Sequence, residues 1–248
     1  MLLTRFFLIN LGPLRPLLLL LCCLHIGVVQ AQQSGGPGIS GGKANGPFCK
    51  KSYKNLSNRL QDLCHLMETS AQTLMSEKFN RNCNNFISPD GKLGEWGLLV
   101  LDAIEEIDPS CFYERMNVEK LCPKYSSLGL ADKAKFWVWV FASISQVESS
   151  CRQKIRAMGV NGLADGLMQL EYSYLLRRAS GRDSKLCRTK GPTDSSAVVF
   201  QFNCAASIFR DVHCAYNRPL SYRGGYWEKL RGGNRKISRL VRGFSKCR

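Results

Sequence analysis

"ADKAKFWVWVFASISQVESS", residues 131–150, is the stretch on which the fold turns. Phe136 to Phe141 run without a polar residue. A segment apolar nearly all round is a central, buried helix rather than a surface one. Yet it closes on a carboxylate. Counting back from Glu148 by helical steps meets Ile144, Phe141, Val140 and Trp137, so the acid shares the apolar face. It also falls in the last turn, where the helix dipole is negative. Desolvation and that dipole both disfavour the charged form and raise the pKa. A carboxyl kept protonated near neutral pH can hand a proton to a leaving sugar oxygen. The competing reading is a helix-end glutamate that turns to solvent or pairs with Arg152. On periodicity alone both stand.

Working outward, apolar residues at three- and four-residue steps predict further helices. Leu56, Leu60, Leu63, Met67 and Leu74 mark one after Cys49. A second begins at Glu95, carries Trp96, Leu98, Leu99, Leu101, Ile104 and Ile107, and stops before Pro109. Between them "SPDGKLG", residues 88–94, is turn chemistry. The segment with Cys111, Cys122 and Pro123 reads as a short loop. The fourth helix is predicted over about Ser195 to Tyr216, with Val199, Phe202, Ala206, Phe209 and Val212 on its buried face. No series of alternating strands is present, so the fold class is mainly α, with at most a small sheet or hairpin in the loops. At the C-terminus Ile237, Leu240, Val241 and Phe244 share one face, and Arg235, Lys236, Arg239, Arg242 and Lys246 the other. Such a helix either lies on an anionic surface or packs on the core; Cys247 as an anchor favours packing.

Residues 1–31 read as a signal peptide, with Arg5 ahead of an apolar run and Val29-Gln30-Ala31 before the cut. Residues 32–48 form a Gly/Ser/Pro linker, 49–125 an N-terminal helical, cysteine-rich region, and 126–248 a second domain with a basic tail. Ten cysteines follow residue 31: Cys49, Cys64, Cys83, Cys111, Cys122, Cys151, Cys187, Cys204, Cys214 and Cys247. An even number in an exported chain implies five disulfides, with the pairing open. The chain has no CxxC, and only His65 and His213 remain after residue 31, so no metal site and no cofactor is expected. The same two histidines offer no Ser-His-Asp machinery.

The formal charge is +16, and falls to +14 without Arg5 and Arg15. For an exported monomer this points to anionic cell-envelope surfaces rather than nucleic acid. The expected location is secreted or periplasmic.

Downstream of Glu148-Ser149-Ser150 the chain returns with Gly166-Leu167-Met168-Gln169. This pair of motifs, at this spacing and order, resembles the active-site signature of goose-type lysozymes and soluble lytic transglycosylases (glycoside hydrolase family 23-like). The resemblance covers roughly residues 130–230 and implies a lysozyme-like α+β domain acting on peptidoglycan glycan strands. It implies Glu148 as the catalytic acid with Ser149 beside it. Gly166 would allow close backbone approach and Leu167 would continue the cleft-lining stretch, with Met168 and Gln169 facing the sugar. Asn203 is similar to the family's asparagine after the substrate loop, and Tyr226 to its late cleft tyrosine. Two departures bear on sugar recognition: Leu163 replaces a usual glycine, and the late tyrosine-asparagine pair is absent.

The second half of the reaction is left open. A carboxylate that activates water gives hydrolysis. Without one, the family's transglycosylases form a 1,6-anhydro sugar. Glu171 resembles the acid that goose-type lysozymes carry just after the motif, and Asp165 is a second candidate. A third possibility is a non-catalytic cationic binder of glycan or membrane, which would be indifferent to Glu148→Gln. Cys151 is expected to pin the helix that ends in Glu148, and Trp137 and Trp139 to pack in the core; Trp227 is the better candidate for a cleft aromatic.

Overall fold

A computed structural model describes residues 79–171, 187 and 197–248. The helix predicted after Cys49, the signal peptide and the linker lie outside the described residues. Among the described residues four α-helices carry the body: α1 (Glu95–Ile107), α2 (Leu130–Ser149), α3 (Val198–Phe209) and α4 (Lys236–Val241). Three short strands, β1 (Arg156–Gly159), β2 (Gly162–Asp165) and β3 (Leu170–Glu171), follow α2 as an antiparallel sheet in sequential order. The protein is therefore mainly helical with one small sheet. No described helix is long and apolar enough to cross a membrane.

The sequence pattern of α2 explains its place. Phe136, Trp137, Val138, Val140, Phe141, Ala142 and Ile144 are fully buried around its circumference. Aromatic edges close the core about it: Trp137 meets Phe112 at 4.8 Å and Phe209 at 5.6 Å between ring centroids, and Phe141 meets Phe202 at 5.8 Å. Such edge-to-face pairs add about 0.5–1.5 kcal/mol each beyond area burial. The indole N–H of Trp137 is not stranded, since it donates to Phe112 O at 3.0 Å and Tyr125 Oη at 2.8 Å. Ser143 and Ser149 survive on this helix because their hydroxyls bond back to Trp139 O and Ser145 O. Trp139 packs in the core as expected and donates its N–H to Leu240 O at 2.8 Å.

α1 lies against α3 and α2, so residues on both sides of position 125 share one hydrophobic core. The turn over 88–94 closes with Ser88 N–H donating to Lys92 O and an Ile87–Leu93 bridge. The fourth helix is shorter than its pattern. Regular α3 ends at Phe209 and widens to a π turn over Arg210–Cys214. Val199, expected on the buried face, is 44% exposed, and Phe200 faces inward instead. The basic C-terminal helix packs on the core, with Ile237, Val241 and Phe244 buried.

Among the described residues three disulfides tie these pieces: Cys83–Cys151, Cys122–Cys247 and Cys187–Cys204. Cys122–Cys247 spans 125 residues, a loop whose closure limits the unfolded chain by about 5 kcal/mol in the entropy picture. Cys111, which opens a second π turn over Cys111–Arg115, and Cys214 remain buried thiols within hydrogen-bonding reach of each other. The expectation of five disulfides is met in part among the described residues.

Candidate active site

Where α2 ends, the backbone turns left-handed over two successive residues that both carry a Cβ. Ser150 and Cys151 both take left-handed conformations, with φ of 53° and 54°. Each costs on the order of 1 kcal/mol for a residue with a Cβ. Three contacts hold the turn: Cys151 N–H donates to Ser145 O at 3.0 Å, Cys151 is bonded to Cys83, and Ser149 Oγ reaches Leu167 O at 3.0 Å. Cys151 thus pins the end of the helix as expected, and with it the backbone that carries Glu148.

Glu148 is largely withdrawn from water, with 16% of its side chain exposed. Burial raises its pKa above the ordinary glutamate value. The Lys229 ammonium, 3.2 Å from Oε2, pulls it down, and the neighbouring Glu228 pushes it up again. Burial is the larger effect, so the group holds its proton to higher pH than a free glutamate. The partner is Lys229, from a turn over Glu228–Gly233, and not Arg152, whose Nε–H goes to Ser149 O.

A cleft of about 380 Å³ opens beside this carboxyl. It is lined by Glu148 and Gln169, by the β1–β2 turn at Gly159–Asn161 with Glu171, and by the segment Tyr226–Lys229 with Arg231. Glu171 is held firmly on β3. Its Oε1 accepts from Val160 N–H at 3.1 Å, and Oε2 from Asn161 N–H at 3.1 Å and Asn161 Nδ2 at 2.8 Å. Gly159 makes this possible, since a Cβ there would stand 2.1 Å from Oε1. Tyr226 Oη accepts from Glu171 N–H at 2.6 Å, which fixes the tyrosine at the cleft edge.

The predicted residues separate into those that meet the cleft and those that build it. Glu148, Glu171, Gln169 and Tyr226 line it, and so does Trp227. Leu167 and Met168 are fully buried, so the expectation that the Met168 side chain faces a sugar is corrected. Met168 instead accepts from Ser145 Oγ through its sulfur, donates its N–H to Gln201 Oε1 and accepts Trp227 Nε1–H at its carbonyl. Ser149 is buried behind the acid and acts on the backbone of the motif rather than on the cleft. Gly166 has φ of +71°, and a Cβ there would meet Gln201 Cδ at 2.8 Å, so close packing is its role. Asn203 is not in the cleft. Its Nδ2 donates to Glu106 on α1 at 3.0 Å, because its position on α3 faces that helix. Asp165 sits opposite Arg156 in the hairpin, 2.6 Å from its Nε, and does not line the cleft.

Sequence reading missed Lys229, Glu228 and Arg231, and also Gln201. A glutamine within the apolar run of α3 was the available signal for Gln201. Among the described residues no group of three or more His, Cys, Asp or Glu stands together as a metal site requires.

No protein-family model and no curated protein matches the chain. Solved structures do. Wild-type DslA of Bdellovibrio superposes with a TM-score of 0.51 at 20% identity, over 72% of this chain and 98% of DslA. The chain shares the fold of DslA. Two forms of DslA, each with one glutamate replaced by glutamine, agree at 20% identity. Their TM-scores are 0.51, over 72% of this chain and 98% of theirs, and 0.50, over 62% and 91%.

Proposed function

We propose that the protein is a lysozyme-like glycosidase that cuts the β-1,4 glycan backbone of peptidoglycan, with Glu148 as general acid. One observation carries this reading: a desolvated carboxyl with a raised pKa, at the strained end of a buried helix, opens on a cleft with a second carboxylate in its wall. The motif resemblance supports it, and the DslA-like fold is compatible with it.

In this reading Glu148 protonates the glycosidic oxygen as the bond breaks and positive charge develops on the sugar ring. The proton is available because burial disfavours the carboxylate. Once ionised, Glu148 is close enough to Lys229 for the ammonium to stabilise the product charge. Glu171 orients the water that completes hydrolysis. A carboxylate offers about four acceptor sites, and three are used, which leaves room for one water on Oε1.

The same three hydrogen bonds favour a second reading. A carboxylate so engaged also serves as a structural anchor of the hairpin, and the attacking group is then the substrate's own 6-hydroxyl. Mass spectrometry of fragments from acetylated and deacetylated sacculi separates the two. Hydrolysis gives reducing ends that require Glu171. Transglycosylation gives 1,6-anhydro ends, lighter by one water, that survive Glu171→Gln. The protein would act outside the cytoplasm, where its disulfides persist.

A further inference from the structure

Beyond the cleft, a second cavity of about 420 Å³ is lined by Arg223, Glu228, Arg231, Gly232, Asn234 and Arg235. Glu228 and Arg231 line both cavities, so the two are adjoining chambers of one groove. The character changes along it. The first chamber holds the carboxylates Glu148, Glu171 and Glu228 against Lys229 and Arg231. The second holds three guanidiniums and the single acid Glu228, which stands 3.9 Å from Arg235.

Arg231 is built into position. Its Nε donates to Gly225 O at 2.8 Å and Nη2 to Tyr226 O at 3.3 Å. Two backbone carbonyls therefore fix the plane of the guanidinium and leave further N–H donors for a ligand. Fixed planar forks suit the paired oxygens of carboxylates and phosphates. Gly232 has φ of +70°, and nothing lies within 4 Å of a Cβ built there, so the floor beside the arginine is open. Gly232 N–H donates to Ser221 O at 2.7 Å and holds the kinked turn in place.

We propose that this arginine-lined chamber is an anion subsite. It binds a carboxylate or phosphate carried as a substituent by the polymer whose glycan backbone occupies the Glu148 cleft. The inference rests on the glycosidase reading for what fills the neighbouring chamber, and on Arg223, Arg231 and Arg235 for the anion. It gives the +14 charge of residues 32–248 a local role, in which the guanidiniums select glycan that carries acidic groups over neutral glycan of the same backbone. Two sources share the chemistry, the carboxylates of peptide stems and the phosphodiesters of a teichoic chain.

The test uses Arg223→Gln/Arg235→Gln, at exposed positions, in the full-length oxidised protein. Arg231 is left intact because it holds backbone carbonyls. Calorimetry measures the affinity of three probes: a stem-bearing peptidoglycan fragment, a poly(glycerol phosphate) chain and a neutral chitin oligomer. Release of fragments from sacculi by the native protein is measured in parallel. The double variant is expected to lose about tenfold affinity for at least one anionic probe. Affinity for the chitin oligomer should stay unchanged, and raising the salt should reproduce the loss in the native protein. The anionic probe that responds identifies the source. Equal affinity of native protein and variant for both anionic probes overturns the subsite, whatever the cleavage result. If the anionic probes need the arginines while sacculi remain uncut, the subsite stands as a binding site and the glycosidase reading falls.

Discussion

Of the three glutamates that line the cleft, Glu148 and Glu171 are held in opposite ways. Glu148 ends a helix of aromatic and branched residues and meets one flexible, half-exposed lysine. Glu171 lies on a two-residue strand and is gripped by three N–H donors from a neighbouring turn. One environment makes a proton hard to lose, and the other makes a carboxylate hard to move. The contrast teaches that a raised pKa here comes from the core that the helix is part of, while orientation comes from a loop. In the proposed glycosidase it suits Glu148 to the acid role and Glu171 to the positioning role.

The contrast is broken most severely at Glu148. Glu148→Gln keeps the shape and removes the proton, so activity on sacculi should fall by at least about a hundredfold. Circular dichroism should show the native fold. Gly159→Ala attacks the other side, because the new Cβ collides with Glu171 Oε1. Turnover should fall about tenfold if Glu171 positions water, and thermal melting should show about 1–3 kcal/mol of overpacking cost. The pH at which Glu148 loses its proton should not move.

Lys229→Met sharpens the comparison by removing the cation that lowers the pKa of Glu148. The alkaline limb of the pH–activity profile, where the acid is lost, should shift to higher pH. Stability follows with a defined sign. Because the folded pKa of Glu148 is raised, its contribution is full below the unfolded pKa and is lost as pH rises through the folded one. Glu148→Gln should remove that loss, as measured by melting across pH. His213 acts the other way. Burial holds its pKa down at about 4, so its contribution is present above the ordinary histidine value and fades as pH falls toward 4.

The smallest effect concerns Cys111 and Cys214. Both are thiols in this structure and lie within reach of each other, so mild oxidation should close the pair, as thiol titration after denaturation would show. Two electrons and two protons would pass to a disulfide oxidant such as glutathione disulfide. Activity should change little, because neither sulfur lines the cleft.

Much of the helical frame was legible because local periodicity reports burial. Phe136 to Phe141 placed α2 at the centre, and Pro109 and the turn over 88–94 bounded α1. The anchoring role of Cys151 followed from its place beside the helix end. What local pattern could not report is partnership across the chain. Lys229 lies 81 residues from Glu148, and nothing in "GGYWEKL" distinguishes it from a solvated lysine. Met168 looked like a cleft residue because it sits inside the motif, yet the φ of +46° at Gln169 turns the chain there. The motif meets the cleft through Gln169 while Leu167 and Met168 drop into the core. Asn203 failed for a related reason, since one helical position decides whether α3 presents it to the cleft or to Glu106.

The most direct test of the central claim is the release of soluble glycan fragments from purified sacculi by native protein and by Glu148→Gln, with folding and sacculus binding of both measured alongside. Release by the native protein alone, with binding and fold retained in the variant, is the predicted result. Equal release by the two proteins, or none from the native protein on acetylated or deacetylated sacculi, would contradict the assignment of Glu148 as the acid of a glycosidase.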